Sequence, residues 1–227
     1  MSARQKDLLR HIEYPESDGK PMAETDTHRQ LMTTLIETLQ IHFAAESEVY
    51  VSGNLLLYYV EGDKNQSVAP DVFVVRGVAN HERRTYQMWE EGQAPQVVFE
   101  ISSRSTKNED LQEKKNIYAL IGVREYFIFD PEYKLKPALR AFRLHRQELV
   151  EQVVTHNRVQ SEELGLELVN TGKTLRLFNP QTNELLRTLP EEAAARQQAE
   201  FRAAQEAARA ARLAAKLREL GLDPDQI

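Results

Sequence analysis

Apolar residues that follow position 30 have the spacing of one face of an α-helix. Five of them recur at intervals of mainly three and four positions: Leu31, Leu35, Ile36, Leu39 and Phe43. This pattern predicts an amphipathic helix. Its start is expected near Thr25 or Thr27, because threonine is favoured at the position that caps the first turn of a helix.

Shorter apolar runs, rich in Val, Ile, Phe and Tyr, predict β-strands. The predicted strands cover Val49–Ser52, 55–60, 71–75, Val97–Ile101, Glu125–Phe129, 139–144, 149–155 and 175–178. Residues 76–93 are polar and predict an irregular loop along one edge of the domain.

A helix is expected between the two most apolar strands, Val97–Ile101 and Glu125–Phe129. It would contain about a dozen residues and end at Gly122, because glycine readily adopts the left-handed conformation that terminates many helices. A helix between two buried strands predicts a β–α–β crossover with parallel strands. The order of elements therefore predicts a mixed α/β (α+β) domain.

The composition changes after Pro190. Residues 191–220 are rich in Ala, Glu, Arg, Gln and Lys and contain no Gly or Pro, which predicts a long helix. Its seam of leucine at the end and alanine upstream leaves two alternatives open, a solvated helix and a short coiled coil or docked helix. The predicted division is an extended lead-in at 1–20, a folded domain at 21–190 and a helical tail at 191–227.

Composition narrows the functional classes. The chain has 227 residues, of which 41% are hydrophobic and 28% are charged, so it can bury a core. No apolar run approaches the ~18–20 residues that span a bilayer, and the charged N-terminus lacks the apolar block of a secretory signal.

The absence of cysteine excludes disulfide scaffolds, thiol catalysis and cysteine–zinc sites. The net charge of −6 argues against broad binding to phosphate backbones but allows a local basic groove. The default expectation is a cytoplasmic protein without a membrane partner.

Two carboxylates stand within apolar strands. Asp71 opens the run DVFVV, and Glu100 lies inside VVFEI. Burial of an ionised carboxylate costs several kcal/mol unless a cation or hydrogen-bond donors compensate. A shared divalent cation would explain both residues, because magnesium is usually held by one or two carboxylates and water. We therefore expect Asp71 and Glu100 to lie together at one end of the sheet.

Lys114 is the candidate partner of these carboxylates. It lies on the predicted helix, four residues after Asp110 and four before Tyr118. That helix must run back along the sheet, so the ammonium group could orient a water molecule or balance charge on a phosphate. The alternative is an ordinary solvent-facing lysine. Tyr118 is expected in the core with its hydroxyl reaching the surface, and His28 is expected to be a cap or packing residue.

Five segments together carry a resemblance to a known family. In order they are Ala69-Pro70-Asp71, Val98-Phe99-Glu100-Ile101-Ser102-Ser103, Asp110-x3-Lys114-x3-Tyr118, Gly122-Val123-x-Glu125-Tyr126 and Asp130-Pro131. Their order and distances resemble the Uma-type putative restriction endonuclease family, a branch of the PD-(D/E)XK nuclease superfamily. The resemblance covers roughly residues 21–178.

The resemblance implies a restriction-endonuclease-like fold, with a mixed central sheet flanked by helices, and a site. Asp71 and Glu100 would hold Mg²⁺, for which Mn²⁺ could substitute. The superfamily has a lysine two residues after the glutamate, where this chain has Ser102; the lysine that family members carry on the next helix maps onto Lys114. Ser102 is then expected at the edge of the cleft, and Glu24 resembles an acidic position that supports the metal.

The implied function is an endonuclease that hydrolyses phosphodiester bonds in DNA and acts as a homodimer. Two alternatives stay open. One is a nuclease-fold protein that binds or assembles but no longer cuts, which the serine at position 102 and the acidic net charge favour. The other is a nuclease for RNA or for an unusual nucleic-acid structure.

Overall fold

The structure is a computed structural model and describes residues 13–17, 19, 25–103 and 106–220. The chain forms two compact units, Met1–Leu186 and Arg187–Ile227. All the strands that the structure describes belong to the first unit, and the second unit contains one long helix.

The elements of the first unit alternate between short strands and a few helices. In chain order they are α1 (Asp26–His42), β1 (Val49–Ser52), β2 (Leu57–Tyr58), β3 (Ser67–Val68), β4 (Val72–Arg76), β5 (Tyr86–Gln87), α2 (Met88–Glu91), β6 (Val97–Ile101), a π-helical segment (Glu109–Lys114), α3 (Lys115–Ile121), β7 (Glu125–Phe129), β8 (Leu139–His145), β9 (Glu148–Gln152), β10 (Arg158–Ser161), β11 (Leu166–Asn170), β12 (Leu175–Asn179) and β13 (Glu184–Leu185).

The central sheet has six strands in the order β1-β4-β6-β7-β8-β9. Its neighbours β6 and β7 are parallel, and every other pair in it is antiparallel. The π-helical segment and α3 connect β6 to β7, so the predicted crossover is confirmed. Gly122 ends α3 in the left-handed conformation, as expected. The mixed sheet confirms the predicted fold class.

The two faces of the central sheet pack into two different apolar clusters, because successive side chains of a strand point to opposite faces. The first cluster joins Phe99 of β6 to Leu35 and Leu39 of α1 and to the sheet β10-β11-β12-β13. The second cluster joins Val98 of β6 to Tyr118 of α3 and to the small sheet β3-β2-β5. Glu100 lies on the same face of β6 as Val98 and therefore points toward the second cluster.

Helix α1 forms where the apolar spacing predicts it. Thr25 caps it, since its side chain accepts a hydrogen bond from the backbone N–H of His28 at 3.2 Å. Leu31, Leu35 and Leu39 are buried on its inner face.

Several predicted elements differ from the observed ones. Of the run 55–60, only Leu57–Tyr58 pairs as a strand. The predicted loop 76–93 contains β5 and α2, because β5 gains hydrogen bonds by pairing in parallel with β2. Strands β10, β11 and β13 were not predicted; β10 is polar and β13 has only two residues.

The second unit is helix α4 (Leu189–Glu219), close to the predicted range 191–220. Thr188 and Glu191 form a capping box at its start, and Pro190 stands in its first turn, where proline costs no hydrogen bond. None of its residues is buried. Within the described residues, no helix combines the length and apolar character that a bilayer crossing needs.

Candidate active site

Strand pairing brings the two predicted carboxylates together. In the antiparallel pair of β4 and β6, Val72 stands opposite Phe99, so the next position outward sets Asp71 opposite Glu100. The backbone N–H of Ile101 donates a hydrogen bond of 2.6 Å to Oδ2 of Asp71. Opposite residues of an antiparallel pair share a face of the sheet. Both residues therefore lie at one end of the sheet.

Glu100 is buried and has two side-chain donors. Only 1% of its surface is exposed. Its Oε2 accepts a hydrogen bond from Nζ of Lys114 at 2.7 Å, and its Oε1 accepts one from the hydroxyl of Tyr118 at 2.5 Å. Burial raises the pKa of Glu100 well above its usual value, although the Lys114 charge acts in the opposite direction.

Lys114 points into the site rather than into solvent. Its side chain is 14% exposed, and its Nζ lies 3.5 Å from Oδ1 of Asp110 as well as 2.7 Å from Glu100. Burial by itself would lower the pKa of this ammonium group. The carboxylates of Glu100, Asp110 and Asp71 outweigh burial and raise the pKa, so Lys114 stays charged. The solvent-facing alternative does not apply.

Asp110 is a further member of this cluster, beyond the residues that the sequence predicts. It is 1% exposed on the π-helical segment, and neither carboxylate oxygen has a hydrogen-bond partner among the described residues. Burial raises its pKa, and the positive charge of Lys114 opposes that shift. Its position four residues before Lys114 was the available signal, since such residues are neighbours on a helix.

Two expectations about side-chain exposure are wrong. Ser102 is buried rather than at the edge of the cleft, because its backbone N–H still pairs with the carbonyl oxygen of Phe129 at 2.8 Å. Its hydroxyl has no hydrogen-bond partner within the described part of the chain. The Tyr118 hydroxyl does not reach the surface either, because it is turned inward to Glu100.

His28 contacts the site from the first turn of α1. Its Nε2 lies 3.0 Å from Oδ2 of Asp71, and both side chains are 15% exposed. The local sequence predicts only a cap or packing role for His28, because it contains no sign of a long-range partner. Glu24, the other acidic candidate, lies outside the described residues.

The bend at Gly53 lies directly against Asp71. A Cβ atom on Gly53 would stand 1.9 Å from the carbonyl oxygen of Asp71, so no side chain fits there. The backbone N–H of Asn54 donates to the carbonyl oxygen of Pro70 at 2.8 Å. These contacts fix the chain immediately before β4 and hold Asp71 in place.

Asp71 and Glu100 are the candidate ligands of a magnesium ion. Among the described residues, no group of three or more His, Asp or Glu side chains is placed to hold a metal. Magnesium needs only one or two carboxylates when water and substrate phosphates supply the remaining ligands. Oδ1 of Asp71 accepts no hydrogen bond from the described residues, and each Glu100 oxygen keeps a second lone pair. The two carboxylates therefore fit such a site.

Comparisons with known proteins identify one family model and a similar solved structure. The model of the Uma2 family, described as "Putative restriction endonuclease", matches residues 6–177. Among solved structures, the chain is similar to a putative nuclease of DUF820 from Anabaena variabilis, with 14% sequence identity and a TM-score of 0.47. That similarity covers 70% of this chain and 89% of the other. A comparison with curated proteins finds no match.

Proposed function

Because the chain belongs to the Uma2 family of putative restriction endonucleases, we propose that it is a metal-dependent endonuclease that hydrolyses phosphodiester bonds in DNA. One observation carries the proposal. A charged and partly buried lysine, Lys114, contacts a buried carboxylate, Glu100, beside a second carboxylate, Asp71. Burial of charged groups usually costs folding free energy. Ionisable groups in such an environment cluster at functional sites.

Asp71 and Glu100 would hold Mg²⁺, or Mn²⁺ in its place. When bound, such an ion lowers the pKa of a coordinated water and stabilises negative charge on a phosphate. The surrounding residues orient the two carboxylates. The Ile101 N–H and His28 hold Asp71, and the Tyr118 hydroxyl holds Glu100.

Lys114 would act on the attacking water or on the phosphate. Its ammonium group has three N–H donors, and the contact with Glu100 engages one of them. A second donor can orient a water molecule near the two carboxylates, and the positive charge stabilises the charge that develops on the phosphate oxygens. Lys114 thereby replaces the lysine that the superfamily has at the position of Ser102.

The test is cleavage of plasmid DNA, single-stranded DNA and RNA by the purified protein with Mg²⁺ or Mn²⁺. We expect cleavage of DNA, and a loss of at least about 100-fold in Glu100→Gln. Glu125→Gln is the matched control, because Glu125 is also buried, on the neighbouring strand, but bonds to Ser161 and Glu162. Binding of DNA without cleavage would instead support the alternative, a nuclease-fold binding protein.

The role of Lys114 has its own readout. Lys114→Met should lower turnover far more than it lowers DNA affinity, since the ammonium group acts in the reaction. Lys115→Met is the matched control, because Nζ of Lys115 lies over the Phe142 ring at 4.7 Å from its centroid. Equal losses of turnover and affinity in Lys114→Met would mean that Lys114 only binds phosphate.

A further inference from the structure

We propose that Asp110 is a positioning residue, which holds the Lys114 ammonium group in the active site when Glu100 is engaged by a cation. This inference rests on the proposed function and deepens it. Among the described residues, no hydrogen bond joins the Asp110 side chain to Asp71 or Glu100, so we expect it to act through Lys114.

The geometry places one ammonium group between two buried carboxylates. Nζ of Lys114 lies 2.7 Å from Glu100 and 3.5 Å from Asp110. The three side chains are 14%, 1% and 1% exposed, so water has little access to the two carboxylates. The ammonium group therefore hydrogen-bonds to Glu100, and Asp110 is close enough to become its partner when Glu100 is engaged by a cation.

A cation on Glu100 changes this balance. The ion would compete with Lys114 for the lone pairs of Glu100 and would also repel the ammonium group, since both are positive. Without Asp110, Lys114 would then have no anionic partner on its own helix turn and could leave the site. With Asp110, the ammonium group keeps a carboxylate within reach and stays beside the reacting phosphate.

The local backbone supports a functional role for Asp110 rather than a structural one. The π-helical segment Glu109–Lys114 carries both charged residues, and π-helical turns frequently occur at functional sites. The segment is attached to β7 by the Tyr126 hydroxyl, which donates to the backbone carbonyl of Asp110 at 2.9 Å. The side chain is not needed for that attachment. Its oxygens lack hydrogen bonds among the described residues, so hydrogen bonding does not offset the cost of its burial.

The experiment compares Asp110→Asn with the wild-type protein and with Glu113→Gln, a control on an exposed residue of the same segment. We expect Asp110→Asn to lower kcat by about 10- to 100-fold. The KM for DNA and the Mg²⁺ concentration for half-maximal activity should not change. The Tm should not fall, because Lys114 keeps Glu100 as its partner. Glu113→Gln should resemble the wild-type protein in every measurement.

Each other outcome overturns the inference. A marked rise in the Mg²⁺ requirement of Asp110→Asn would make Asp110 a cation ligand. A lower Tm, with activity falling only in proportion to the folded fraction, would make it a structural residue. An unchanged kcat of Asp110→Asn would mean that Asp110 does not position Lys114.

A second measurement separates this inference from the proposed function. If the wild-type protein cleaves no nucleic acid, the proposed function fails, but the coupling of Asp110 to Lys114 can still be measured by thermal unfolding. Lys114→Met should lower the Tm more in the wild-type background, where two carboxylates lose their cation, than in the Asp110→Asn background. Equal decreases in the two backgrounds would contradict the pairing itself.

Discussion

At the residue scale, the site concentrates negative charge where water has little access. Glu100 and Asp110 are each 1% exposed, and Asp71 contacts the backbone next to Glu100. One ammonium group, that of Lys114, faces this group of carboxylates. A divalent cation would restore the balance of charge, so the site should bind a cation more readily than its small number of ligands suggests.

Glu125 gives a pH-dependent prediction away from the site. Burial raises its pKa above the usual 4.5, against the hydrogen bonds from Ser161 and Glu162. A carboxyl group with a raised pKa stabilises the folded state at low pH, and this stabilisation is lost as the pH rises through the folded-state pKa. Glutamine cannot ionise, so Glu125→Gln does not lose this stabilisation as the pH rises. Its Tm relative to the wild-type protein should therefore increase from about pH 4.5 to pH 8.

Thermal unfolding of both proteins across that pH range checks the prediction. Glu167→Gln, which changes a partly exposed carboxylate paired with Arg158, serves as the control for the loss of one carboxylate. A Tm difference between Glu125→Gln and the wild-type protein that shrinks as the pH rises would contradict the assigned direction of the shift.

The sequence revealed only part of the site at this scale. Asp71 and Glu100 were recognisable because an ionisable residue within an apolar strand is rare. Asp110 and Tyr118 were not recognised as members, because their burial depends on how the crossover helix docks on the sheet. The contact of His28 with Asp71 spans 43 positions, and no local pattern encodes such a distance.

At the element scale, the close packing of the Gly53 bend on Asp71 gives a further prediction. A methyl group at position 53 would meet the Asp71 carbonyl oxygen at 1.9 Å, so Gly53→Ala must push the start of β4 away. Such overpacking costs about 1–3 kcal/mol. We expect a lower Tm and, in the folded fraction, a loss of nuclease activity of about 10-fold or more, because Asp71 moves with the backbone.

Gly77→Ala is the control for this change. An added Cβ at Gly77 meets no atom within 4 Å, but the φ of +82° makes alanine unfavourable. It should therefore lower the Tm without lowering the activity of the folded protein. If Gly53→Ala loses no more activity than Gly77→Ala, the bend does not position Asp71.

Elements with strong local signals were the ones that could be predicted. Strands β6 and β7 coincide with their predictions because they are buried on both faces and consist mainly of apolar residues, with one glutamate in each. Strand β10 shows no such pattern, since it is polar and gains its stability from pairing with β11. Strand β5 depends on a parallel partner about thirty positions earlier, β2.

At the scale of the whole molecule, we expect a homodimer. A site of this kind cuts one strand, so cleavage of both strands calls for two sites, and a two-fold dimer is the commonest assembly that brings two copies together. Alanine dominates the upstream part of α4, and alanine buries little area. We therefore expect the first unit to supply most of the dimer interface, with α4 contributing less.

Sedimentation or light scattering of the full chain and of a version that ends at Pro190 tests this assembly. A dimer in both cases agrees with the prediction. Monomers in both cases reject the dimer, and a dimer only in the full chain would make α4 the principal contact.

The ultraviolet absorbance of two buried tyrosines can show whether the second apolar cluster is intact. Tyr118 and Tyr126 are enclosed in it, and burial raises the pKa of each phenol well above its usual value. Phenolate absorbs ultraviolet light at longer wavelength than phenol, so a titration with alkali first shows the rings that water reaches. The absorbance of the enclosed rings should follow only when the cluster opens. A second rise in absorbance at high pH would therefore show, without any added dye, that the second apolar cluster had stayed closed up to that pH. Tyr118 of this cluster bonds to Glu100.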